Sequence, residues 1–117
     1  MLIYKEELLN HAGIMELGLP FDSVAEAKEN ILKIGLQYGI PHMWYNVLDK
    51  TVKQFILVCI GTGHDHPELT REEYIGSEIV HDGAFVWHYF LVDLDTFGGK
   101  GNNPENEECQ NDYDIAE

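Results

Sequence analysis

The sequence predicts a mainly β (α+β) fold, a small antiparallel meander curled into a sandwich or half-barrel with one short helix. Three observations carry that expectation. From Ile31 the chain alternates strictly, with Leu32, Ile34, Leu36 and Tyr38 on one face and Lys33, Gly35 and Gln37 on the other, the period of a half-buried strand. Phe55-Ile56-Leu57-Val58-Cys59-Ile60 and Ala84 to Val92 are apolar on both faces, as expected of the most enclosed strands. Finally, Asp82-Gly83 sits between two β-like runs, the strongest short-range hairpin signal in the chain.

The elements follow in order. Leu2 to Leu9 is a candidate first strand of mixed pattern, and Ile14-Met15-Glu16-Leu17 a second, closed by Gly18 and Pro20. Ser23-Val24-Ala25-Glu26 is a capping box, and Val24, Ala27 and Ile31 fit one helical face. The alternation that follows stops this helix near Asn30, while a helix continuing to Ile34 with Gly35 as its cap is the alternative. Strands are expected at His42 to Leu48, Val52 to Ile60, Tyr74 to Val80 and Ala84 to Val92, with Glu68 to Glu73 forming one helical turn. Residues 1–93 are expected to be one compact domain and residues 94–117 a flexible acidic tail, too poor in apolar side chains to offset the entropy of ordering.

The chain of 117 residues has room for one modest core. Its 21 acids against 7 bases give a net charge of −14, of which residues 1–93 (14 acids, 6 bases) contribute −8. Such a field opposes direct binding to nucleic acid or an anionic membrane and could attract a basic protein groove. Cys59 and Cys109 are too few for a disulfide framework and read as reduced thiols of a cytosolic protein. Met1 to Glu7 lacks the pattern of a signal peptide, and no apolar run reaches the length of a membrane span.

Chemistry concentrates after the central strand. In Gly61-Thr62-Gly63-His64 two glycines allow close backbone approach and can present successive N–H groups to an anion, while Thr62 and His64 add side-chain groups. A strand-ending turn with a bulge needs the same residues. The loop is neither a P-loop, since GK[ST] is missing, nor a dinucleotide fingerprint. Trp44, Tyr45, Trp87 and Tyr89 form an aromatic set in which Trp44 and Trp87 serve either as stacking walls or as core. His64, His66, His81 and His88 raise a metal site, but a clear fourth ligand and second shell are missing, so none is expected, nor any cofactor. No nucleophile–base pair stands out, and no enzyme is expected.

The run Ile31-Leu32 … Gly39-Ile40-Pro41 … Trp44, then Ile60-Gly61-Thr62-Gly63-His64, Tyr74-Ile75-Gly76, and Gly83 … Val86-Trp87-His88 is similar to an uncharacterised family of small bacteriophage-encoded proteins. The likeness spans about residues 30–92 and lies in the GTGH loop, the Y-[IL]-G segment and the closing V-W-H strand. It implies a phage origin, the host cell cytoplasm as location, and a role in counter-defence. Two functions are expected, the first from the Gly-x-Gly-His loop with its Trp-His strand and the second from the carboxylate excess. One is a binding module that sequesters a small anionic, nucleotide-like ligand with Gly61, Thr62, Gly63, His64, Trp44, Trp87 and His88. The other is an acidic inhibitor that blocks the basic nucleic-acid groove of a host protein. A structural accessory of the phage particle is a third. Exposed strand edges point to a homo-oligomer, with a dimer as the default.

Overall fold

The computed structural model describes residues 1–95, so the expected acidic tail lies outside the described residues from position 96 onward. Seven strands and one helix follow one another as β1 (Ile3–Glu7), β2 (Gly13–Leu19), α1 (Val24–Asn30), β3 (Ile31–Gln37), β4 (Ile40–Asn46), β5 (Lys53–Gly61), β6 (Tyr74–Val80) and β7 (Phe85–Asp93). They form two antiparallel sheets, one ordered β1-β4-β3 and the other β2-β5-β7-β6. The mainly β architecture with a single short helix is therefore the one the alternating and doubly apolar runs dictate.

The helix stops where period two begins. Ser23 accepts from the Glu26 amide at 3.1 Å, and Glu26 returns a carboxylate oxygen to the Asp22 amide at 2.8 Å. This is the expected capping box, shifted by one residue in its return bond. Ile31 already has extended backbone (φ −77°, ψ 123°), so the longer helix to Ile34 does not form. Between β3 and β4 the chain reverses over Tyr38 and Gly39, both at positive φ (53° and 78°), as a two-residue hairpin of matching twist requires. The Asp-Gly turn is wider: His81, Asp82 and Gly83 all have positive φ, and Val80 faces Phe85 across a four-residue loop.

Pairing departs from simple sequence order in three places: β5 pairs with β7 rather than β6, and two early strands reach further. β1 pairs with β4, and β2 with β5, so each early strand reaches past its neighbour to a later one. Between the sheets lies the main core, built from Leu17, Phe55, Leu57, Tyr89 and Leu91 on one side and Met43 and Tyr45 on the other. The opposite face of the four-stranded sheet carries a second cluster, Ile56, Val58, Ile60 and Val92, against which Leu69 of the 62–73 loop packs. That loop folds back as a flap, which explains why β5 is apolar on both faces. No helix among the described residues is long and apolar enough to cross a membrane.

Candidate functional site

The strand registers decide which candidate residues can meet. His88 pairs with Ile60 and Trp87 with Gly61. Successive side chains on a strand point to opposite faces, so His88 lies on the flap side of the four-stranded sheet and Trp87 on the side facing the other sheet. The seven candidates therefore occupy three places.

On the flap side, the Thr62 hydroxyl lies 2.7 Å from His88 Nε2. The hydroxyl donates when that nitrogen is unprotonated and accepts when it carries the proton. Ser77 faces His88 across the β6–β7 ladder, and the Tyr74 ring lies 6.3 Å from the imidazole. Above Tyr74 rests the guanidinium of Arg71, at 5.2 Å from the ring centroid, a cation–π contact. Arg71 takes no part in the four ion pairs found among the described residues. Its turn is held from two sides. Lys28 of α1 donates to the carbonyls of Arg71 and Glu72 at 3.3 and 2.9 Å, and Glu73 accepts from the Thr70 amide and hydroxyl at 2.7 and 3.0 Å.

On the inner side, the Gly61 amide donates to His64 Nδ1 at 3.3 Å, which leaves Nε2 of the neutral ring as an outward donor. A Cβ on Gly61 would meet Trp87 Cζ3 at 3.3 Å and His64 Cε1 at 3.6 Å. A side chain here would press on the indole and touch the imidazole at ordinary contact distance. Trp87 donates to Asn10 Oδ1 at 3.2 Å and stacks on Phe85 with ring centroids 5.8 Å apart. It is half core and half ledge. Gly63, at φ +98° with open space around its α-carbon, provides the reversal that turns His64 back.

Trp44 is not brought to the loop. It stands on β4 of the other sheet, between Lys5 and Lys33, on the face turned away from buried Met43 and Tyr45.

The remaining chemistry is quickly placed. Burial pushes the Cys59 thiol up to about 12, and the fully buried Tyr89 hydroxyl is also raised by burial. Cys59 is thus a core side chain rather than a nucleophile. His66 lies 3.5 Å from Glu68, away from His88, and no three His, Cys, Asp or Glu side chains gather to hold a metal ion among the described residues. A groove of about 610 Å³ opens elsewhere, between α1 and the 72–73 turn, lined by Lys28, Glu29, Glu72, Glu73 and Asp93. Its carboxylates make it unfit for an anion. Of the residues gathered here, Arg71 was legible in the sequence as one of four candidate cations, with Lys33, Lys50 and Lys53, and Ser77 as a hydroxyl without a base beside it, whereas Tyr74 was passed over. The spacing from Arg71 to Tyr74 was the available signal, since residues three apart in a turn share a face.

Residues 16–96 match the family described as a domain of unknown function, DUF7352. No curated protein and no solved structure matches the chain.

Proposed function

The chain belongs to the DUF7352 family, and we propose that it is a non-enzymatic module that binds and sequesters a small anionic, nucleotide-like ligand at the GTGH loop. One observation carries the reading. Beside the Thr62–His88 hydrogen bond, the Tyr74 ring borders His88 and carries the guanidinium of Arg71, which has no carboxylate partner among the described residues, in a chain of net charge −14. An arginine that the described acids leave unpaired is a ready anion receptor, because its planar fork matches phosphate and carboxylate geometry. Thr62 and Ser77 supply hydroxyls at His88, and Tyr74 a ring face between His88 and Arg71. His64 and Trp87 shape the loop from the other side. They act as supports for the backbone of Gly61, while the ligand meets Thr62, His88 and Arg71.

The likeness of residues 30–92 to small phage-encoded proteins supports placing this binding in infection, as capture of a nucleotide signal used in host defence. Calorimetric titration with nucleoside monophosphates and with inorganic phosphate tests the site. Thr62→Val and Arg71→Met should each weaken binding about 10- to 100-fold, the worth of a hydrogen bond to a charged group. Binding unchanged in both variants removes the site.

A second reading keeps one specific support. The groove beside α1 presents Glu29, Glu72, Glu73 and Asp93, a setting for lysine or arginine side chains of a basic partner, as an inhibitor of a nucleic-acid-binding protein would offer. Such a complex should weaken steeply between low and physiological salt.

A further inference from the structure

We infer that the outer face of the three-stranded sheet holds a second binding site, for a nucleoside phosphate whose base stacks on Trp44 and whose phosphate sits between Lys5 and Lys33. The inference stands apart from the GTGH loop, which belongs to the other sheet.

The registers place Lys5, Trp44 and Lys33 side by side across β1, β4 and β3. Both lysines are without a carboxylate partner among the described residues, whereas Lys50 and Lys53 are paired with acids. Their side chains converge. Lys5 crosses β4 to donate to Gln37 on β3, and Lys33 runs along its own strand so that its Nζ lies 3.6 Å from where a Gly35 Cβ would be. Gly35 and Gln37 point to the same face two residues apart. Two ammonium groups thus share one small area on the surface of an acidic protein, an arrangement that repels itself until an anion enters.

Gly35 is buried beneath the Lys33 stem, whose Cε lies 2.8 Å from where its Cβ would be, and His42 faces it across the ladder. His42 Nδ1 donates to the Ile40 carbonyl at 2.8 Å, because a carbonyl can only accept, so Nε2 is left outward. The His42 ring lies 5.8 Å from the indole and closes one side of the stack. One acid belongs to the same face: Glu7, opposite His42 on β1. Charge complementarity therefore selects a compact phosphate rather than a long polyanion, which would run into Glu7. The indole selects an aromatic group attached to it, since base–aromatic stacking is sequence-tolerant and adds to the ionic contact.

The two tryptophans allow each site to be followed separately. In the full chain carrying Trp87→Phe, Trp44 is the one remaining tryptophan, and its emission should be quenched saturably by a nucleoside monophosphate. Lys5→Met and Lys33→Met should each weaken that response about tenfold, Lys33→Arg should retain most of it, and Glu7→Gln should strengthen it. Arg71→Met, which disables only the loop site, should leave Trp44 quenching unaltered, so the two readings fail independently. Urea midpoints confirm that each variant is folded. Absence of saturable quenching in the folded Trp87→Phe protein overturns the proposal. So does equal quenching by the uncharged nucleoside, which would be stacking without an anion site, or a response confined to oligonucleotides.

Discussion

Tyr89→Phe removes one oxygen from the centre of the molecule, and with it a buried hydrogen bond to the Leu9 carbonyl and the contact with the Cys59 thiol. Tyr89 is wholly buried on β7, and its hydroxyl donates to the Leu9 carbonyl at 2.7 Å. The ring remains after substitution, so no cavity larger than the oxygen opens. The bond itself contributes roughly 0.5–1.5 kcal/mol, and a part-buried carbonyl left without its donor adds to the loss. We expect a destabilisation of about 1–2 kcal/mol. For a domain of this size that lowers Tm by roughly 5–15 °C, with an unchanged urea m-value because the surface exposed on unfolding is the same. The pH dependence gives a second reading of the same group. Burial raises the Tyr89 hydroxyl, so the unfolded chain ionises first and native stability falls as pH climbs past about 10. Tyr89→Phe should flatten that alkaline decline. A variant as stable as the parent, with the same alkaline slope, would refute the packing described here.

Three further outcomes follow from the same geometry. Ser23→Ala removes the acceptor of the Glu26 amide and should cost about 1 kcal/mol in urea denaturation, whereas Ser23→Asp should retain stability. Lys50 holds the Glu26 carboxyl below the usual glutamate range, chiefly through their hydrogen bond. The stability this contributes is present at neutral pH and lost as pH falls through and below that range, so Lys50→Met should blunt part of the acid unfolding followed by circular dichroism. Cys59, with its thiol raised to about 12 by burial, should resist iodoacetamide at pH 8 in a Cys109→Ser background and react only when the chain is unfolded in urea.

Local patterning made most of the fold legible. The alternation from Ile31 overrode the helix that a capping box and Gly35 would otherwise extend, and the apolar faces of β5 announced that both sides are covered. What covers them was not legible, because the flap of residues 62–73 reads as polar and contributes only Leu69 to the outer cluster. The pairing of β1 with β4 and β2 with β5 was hidden for another reason: register across sequence gaps leaves no periodic trace. The site followed the same division. The nearness of Thr62 to His88 was legible as a loop after one enclosed strand and a histidine on another. Assigning Trp87 and His88 to one ligand site overlooked the two-residue period that sends them to opposite faces. Trp44 shared composition with the site and nothing else, since the sheet it belongs to is set by a partner more than thirty residues away in sequence.

Native mass spectrometry of the intact chain with an equimolar nucleoside monophosphate mixture tests the GTGH-loop reading most directly, carried out on a Trp44→Phe, Lys33→Met background that silences the other sheet. A retained nucleotide mass, released on denaturation and lost when Thr62→Val and Arg71→Met are added, is the result the account predicts. A spectrum of bare protein, or a retained mass that survives both substitutions, would contradict it.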